Sequence, residues 1–117
     1  MAKRTFDMER FFQALGDRTR LRLLNLMGEQ EICVCYFVEI LEQGQPKISR
    51  HLAYLRKSGV VSGRKEGLWV HYRLTRSKSA LGRILLGCLG SCLGDPKIFS
   101  EDLKRLGQAI SCCGSEG

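Results

Sequence analysis

The sequence predicts a mainly α chain with one small β-hairpin, arranged as a winged helix-turn-helix that works as a homodimer. Three observations predict it. Two short helical patterns are joined by about three residues around Gly44, the periodicity changes from helical to alternating after Gly59, and a block of cations covers the second of those helices and the hairpin. With 117 residues, 44% of them apolar and 26% charged, the chain has the composition of one folded domain rather than a disordered segment. The longest near-apolar run, Ala80 to Leu93, is broken by Arg83 and falls short of the roughly 20 residues that cross a bilayer. The amino terminus lacks an apolar stretch ending at a small-residue cleavage site, so a cytoplasmic chain with no membrane partner is expected.

Met8, Phe11, Phe12 and Leu15 recur at helical spacing and predict one apolar stripe on a first helix, which Gly16 interrupts. Asp17 is a good N-cap for a second helix through Leu21, Leu24 and Met27, and Gly28 suits its left-handed end. A third helix is expected over about Val34 to Glu42, with Phe37, Val38 and Leu41 inward. Pro46 fits the opening of a fourth, where its missing N–H is not needed. On that helix Ile48, Leu52 and Leu55 make the buried stripe, while Arg50 and Lys57 point outward beside Ala53.

After Gly59, Leu68, Val70, Tyr72 and Leu74 alternate with Trp69, His71 and Arg73 as in a half-buried strand. Val60 and Val61 offer its partner, and Lys65, Glu66 and Gly67 the turn. From Ala80 the residues Leu81, Ile84, Leu85, Cys88, Leu89 and Cys92 form a stripe too broad for so small a domain to cover, which predicts a homodimer interface. Gly94, Asp95 and Pro96 then end that helix. Ser100 is expected to cap a last one, with Glu101 and Asp102 in its first turn and fraying after Ile110. The single domain, 1–117, thus divides into a helix-turn-helix at about 33–58, a wing at about 60–74, and dimerisation helices at about 1–15 and 79–110.

The net charge of +7 is unevenly placed. Between Gln45 and Lys78 nine basic residues face Glu66 alone, a net +8, so the rest of the chain carries −1. A cationic helix followed by a cationic hairpin points to double-stranded DNA. A small thiol enzyme is the reading from another class. The sequence offers it no anion-cradling loop, no base beside a nucleophile and no CxxC, so no catalytic residue and no catalytic cofactor are expected.

The run ICVCYFVEILEQGQPKISRHLAYLRKSGVVSGRKEGLWVHYRL resembles the ArsR/SmtB family of metal-sensing winged-helix repressors, and within it the arsenic-resistance branch. The resemblance covers about Phe11 to Leu74 and fades in the last third. It implies a dimer that binds palindromic operator DNA and lets go when an inducer binds. Carried onto this sequence, it implies a recognition helix from Pro46 to Lys57, DNA contacts by Gln45, Lys47, Ser49, Arg50 and His51, and wing contacts by Arg64 and Lys65. His71 and His51 match histidines of the family's DNA-reading unit and are read as structural or DNA-contacting.

Six cysteines without a secretion signal are expected to be free thiols. Residues two apart on an ideal helix lie about 200° from each other, so Cys33 and Cys35 can share one ion only where the backbone is not helical. The start of a helix is also where thiolate is favoured, so a lowered thiol pKa is expected there. Both become the expected ligands of a soft, thiophilic ion, and the resemblance implies trivalent arsenic (arsenite), with antimony as its congener, as the inducer. The ion would strain the start of the third helix and move the recognition helix. Val38 stands where some arsenic repressors have a third cysteine, which leaves Cys88, Cys92, Cys112 and Cys113 as candidate third ligands. Ala80 to Leu93 contains no Asp, Glu or His, so the zinc site of other relatives is not expected. The alternatives are a cadmium or lead sensor of the same family and an inducer-independent DNA-binding protein.

Overall fold

The computed structural model describes residues 8–28, 30–75, 83–84 and 96–114, with 96 and 111–114 described by backbone alone. The elements run α1 (Met8–Leu15), α2 (Arg18–Met27), β1 (Ile32–Cys33), α3 (Val34–Leu41), α4 (Gln45–Lys57), β2 (Val61–Glu66), β3 (Trp69–Leu74) and α5 (Pro96–Gly114). This is a helix-turn-helix, α3 and α4, followed by a hairpin wing. The expected helix over Ala80 to Leu93, with its dimer stripe and Cys88 and Cys92, lies outside the described residues except for a helical backbone at 83–84.

Local chemistry sets most boundaries. Asp17 caps α2 by accepting from the Thr19 N–H at 2.9 Å, and Gly28, at φ 49°, ends it with its N–H on the Leu24 carbonyl at 3.1 Å. Pro46 stands in the first turn of α4. The core gathers Phe11, Leu23, Leu24, Leu26 and Met27 with Phe37, Ile40, Ile48, Leu52 and Leu55, all fully buried or nearly so. Summed over such side chains, at about 1.5 to 3 kcal/mol each, this burial is the main term that fixes α3 against α4.

Four expectations are corrected. The first is the stripe on α1, which divides. Phe11 and Ala14 enter the core, whereas Met8 is 45% and Phe12 51% exposed and line an open cleft with Glu9 and Gln13, because a two-turn helix reaches the core along a narrow line only. Second, the sheet has three strands in the order β1-β3-β2, since Ile32 pairs with Tyr72 and Cys33 with His71. Third, the hairpin turn is Gly67–Leu68. Gly67, at φ 63°, takes the first turn position, Lys65 and Glu66 stay in the ladder, and Leu68 is 91% exposed. Finally, α5 begins at Pro96 and runs through Gly114, so Ser100 lies inside it and the backbone past Ile110 is helical. Asp102 is completely buried, held bidentately by Arg22 of α2 at 2.8 and 3.0 Å, and Asn25 donates to the Phe99 carbonyl at 3.0 Å. Together these contacts fasten α5 along α2.

Candidate nucleic-acid interface and thiol site

Helix α4 presents its cations on the face opposite Ile48, Leu52 and Leu55. Gln45, Lys47, Ser49, Arg50, Ala53, Arg56 and Lys57 are all exposed. Of the residues expected to meet DNA, His51 is the exception. Its side chain is 17% exposed and turned to the start of α2, with Nδ1 3.5 Å from Arg20 Nη1 and 4.0 Å from Asp17 Oδ2. Burial lowers its pKa below the ordinary 6.5. Asp17 opposes that shift, and the cations Arg20, Lys47 and Arg50 reinforce it. His51 therefore joins α4 to α2 instead of lying on the open face.

Arg20 is the neighbour that the sequence did not reveal. Its Nε donates to the Ala14 carbonyl at 2.7 Å and Nη2 to that of Gln13 at 3.3 Å, while its guanidinium carbon lies 4.2 Å from the centre of the Tyr54 ring. One side chain thus ties the end of α1 to the outer part of α4 through hydrogen bonds and a cation–π contact. Only its place in the first turn of a leucine-rich helix was visible in sequence, and that carried no signal.

On the wing, Lys65 is exposed as expected. Arg64 is exposed too, but it is engaged. Glu31 grips it with both carboxylate oxygens, at 3.1 and 2.7 Å, and Glu66 lies 3.3 Å away. These carboxylates raise the Arg64 pKa, and the same contact lowers that of Glu31. Glu31 was absent from the sequence reading because it is 33 residues from its partner.

The two thiols sit where strand becomes helix. Cys33 is the last residue of β1 and the N-cap position of α3, with extended backbone at φ −70° and ψ 141°, and Cys35 is the second residue of the helix. That break in helical geometry lets the side chains converge, and their Sγ atoms lie 3.1 Å apart. Cys33 is buried and Cys35 exposed, so the pair opens to one side only. The expected lowering of thiol pKa is corrected. Cys35 is pushed up from an ordinary 9.0 to about 11 by burial, by its hydrogen bond to Cys33 and by repulsion from that thiol, which together outweigh the backbone N–H groups of Cys35 and Tyr36. Cys35 is consequently protonated near neutral pH.

Among the described residues no group of three His, Cys, Asp or Glu side chains is placed to hold an ion. The pair therefore offers a two-sulfur site. Cys112 and Cys113 lie in the helical backbone of α5, and their side chains are outside the described set. From the thiols, α3 runs to Leu41, Glu42 closes it in the left-handed region at φ 57°, and after Gln43 and Gly44 α4 begins. A displacement at Cys33 is thereby only one two-turn helix from the cationic face.

Residues 17–62 match the profile described as bacterial regulatory protein, arsR family. Over 65 residues the chain is 55% identical to the arsenical resistance operon repressor of Escherichia coli strain K12, covering 55% of this chain and 56% of that one. Over 64 residues it is 52% identical to the arsenic resistance transcriptional regulator ArsR1 of Pseudomonas putida, covering 54% and 50%. The chain thus spans about half the length of these two relatives. Among solved structures, HlyU from Vibrio cholerae superposes with a TM-score of 0.62 at 30% identity, over 70% of this chain and 86% of that one.

Proposed function

This chain belongs to the arsR family of bacterial regulatory proteins, and from that premise we propose that it is an arsenite-responsive repressor: a homodimer that holds operator DNA through α4 and the wing and releases it when trivalent arsenic binds Cys33 and Cys35. The observation that carries the reading is the convergence of the two sulfurs, 3.1 Å apart, at the junction between β1 and α3. Two adjacent thiols suit a soft, thiophilic ion better than a hard one. The similarity to two arsenic-resistance regulators supports the same choice.

The residues divide the work. Gln45, Lys47, Ser49 and Arg50 lie on the open face of α4, and Arg64 and Lys65 on the wing, so these six are assigned to DNA. His51 is assigned to holding α4 against α2. Cys33 and Cys35 are assigned to the inducer. Because Cys33 is already extended, chelation needs no unwinding of α3. It fixes the distance between a strand residue and a helix residue and so strains the opening turn. To take the dimer from mostly bound to mostly free, the ion must favour the DNA-incompetent state by about 3 to 5 kcal/mol, which two metal–thiolate bonds can supply.

The test uses a duplex selected by the protein from a randomised pool. Its binding, followed by fluorescence anisotropy, is titrated with arsenite, antimonite, cadmium, lead and zinc. Arsenite and antimonite are expected to release the duplex at the lowest concentrations, and Cys33→Ser combined with Cys35→Ser to abolish release while binding stays intact. Release of the doubly substituted protein by arsenite overturns the assignment, and first release by cadmium or lead identifies a different inducer.

A further inference from the structure

Glu31 stands immediately before β1, two residues from Cys33, and its carboxylate reaches across to the wing. Both of its oxygens engage Arg64 of β2, at 3.1 Å to Nε and 2.7 Å to Nη2. Behind the guanidinium, Glu66 Oε1 lies 3.3 Å from Arg64 Nη2 and 3.4 Å from His71 Nε2. His71 in turn is the ladder partner of Cys33. The segment that carries the buried thiol is therefore tied to the wing twice, by the β1–β3 pairing and by a bidentate ion pair. Arg64 is also the wing guanidinium assigned to DNA. In the free protein its forked donors face a carboxylate with the geometry a phosphate would otherwise use.

We propose that Glu31 is a positioning residue that competes with DNA phosphate for Arg64, so that the segment leading into Cys33 governs the wing directly, through β1 and Glu31, in addition to its route through α3 to α4. The proposal rests on the DNA-binding reading above. Binding of a duplex exchanges one anion for another at Arg64. Release of the guanidinium leaves Glu31 uncompensated beside an incoming phosphate, and Glu31 moves with the strand that ends in Cys33. A ligand that strains this strand changes which anion Arg64 holds. Glu31 thereby sets both the affinity of the wing and part of its response to the thiol site.

The experiment is a thermodynamic cycle on the full chain. Anisotropy with the selected duplex, and with a short random-sequence duplex, is measured for the parent, Glu31→Gln, Arg64→Gln and the double variant. Glu31→Gln is expected to tighten binding about three- to tenfold, the scale of an exposed ion pair. Arg64→Gln should weaken binding, and the gain from Glu31→Gln should vanish in the Arg64→Gln background. As a second readout, the Arg64 side-chain N–H resonance of the parent should shift on adding duplex and should already be shifted in free Glu31→Gln. Weaker binding by Glu31→Gln makes the residue a brace and overturns the proposal, as does an equal gain with Arg64 removed, which marks a general charge effect. If the parent binds neither duplex, the DNA-binding reading falls and this proposal with it. If the parent binds and the cycle shows no coupling, this proposal alone falls.

Discussion

Cys35, its thiol pushed up to about 11, presents an S–H group and not a thiolate to a ligand near neutral pH, and this bears on which ions the pair can accept. A divalent cation such as cadmium must displace the Cys35 proton, which alone should make its affinity climb by about one order of magnitude per pH unit below the Cys35 pKa of about 11. Arsenous acid differs, because each S–H proton leaves with a hydroxyl as water while an As–S bond replaces an As–O bond. No net proton is released and no redox change occurs. Calorimetry in buffers of different ionisation enthalpy should find at least about one proton released with cadmium, the one held by Cys35, and no more than about one taken up with arsenite. Uptake of about two protons with arsenite would contradict a protonated Cys35, because a thiolate displaces hydroxyl as water only by taking a proton from solution. A second prediction concerns His51, whose pKa is held below 6.5 mainly by burial. A group that binds its proton more weakly when folded stabilises the fold above the unfolded pKa and loses that contribution as pH falls through the folded one. Stability should therefore decline as pH drops below about 6.5, and His51→Gln should flatten the decline in urea titrations. An unchanged slope assigns the acid sensitivity elsewhere.

The fastening of α5 along α2 sets the next prediction, at the scale of elements. Asp102 has no exposure and Arg22 very little, so Asp102→Ala leaves a mostly buried guanidinium without its anion. Breaking a buried pair from one side costs about 3 to 5 kcal/mol, and the residual exposure of Arg22 puts the expected loss near 3. Urea denaturation measures it, and a loss below about 1 kcal/mol would mean that α5 is held by its apolar contacts alone. The same pair explains what the sequence could and could not disclose. Asp17, Gly28 and Pro46 act on backbone groups within a few residues, so their roles at helix ends were legible. So was the cationic face of α4, because helical geometry alone puts Lys47 and Arg50 opposite Leu52. Asp102, by contrast, is 80 residues from Arg22, and in the first turn of an expected helix it read only as a carboxylate favoured by the helix dipole. Strand β1 is only two residues long, too short for any period to register. Without it Cys33 stood only at the edge of the expected third helix: the need for non-helical backbone between the two sulfurs was legible, while the strand that supplies it, and Glu31 with its hold on the wing, stayed out of view.

At the scale of the whole molecule, the exposed cations of α4 and those of the wing, Arg64, Lys65 and Arg73, lie on neighbouring elements, since α4 packs directly on β2 and the hairpin continues from it. Such a surface meets DNA chiefly by neutralising phosphates and releasing their condensed counterions, so affinity must fall as salt rises. If about six phosphates are neutralised per dimer, log K against log salt should have a slope near −5. Lys47→Gln with Arg50→Gln removes two contacts per protomer, about four per dimer, and should bring that slope to about −2. Both side chains are exposed, so the thermal midpoint should hardly move. A changed slope with an unchanged midpoint attributes the loss to the interface. The opposite pattern, a lowered midpoint with the original slope, would take α4 out of contact with the duplex. A slope near zero in the parent would do more, because a cationic surface that binds DNA without displacing ions cannot be docked on the phosphate backbone at all.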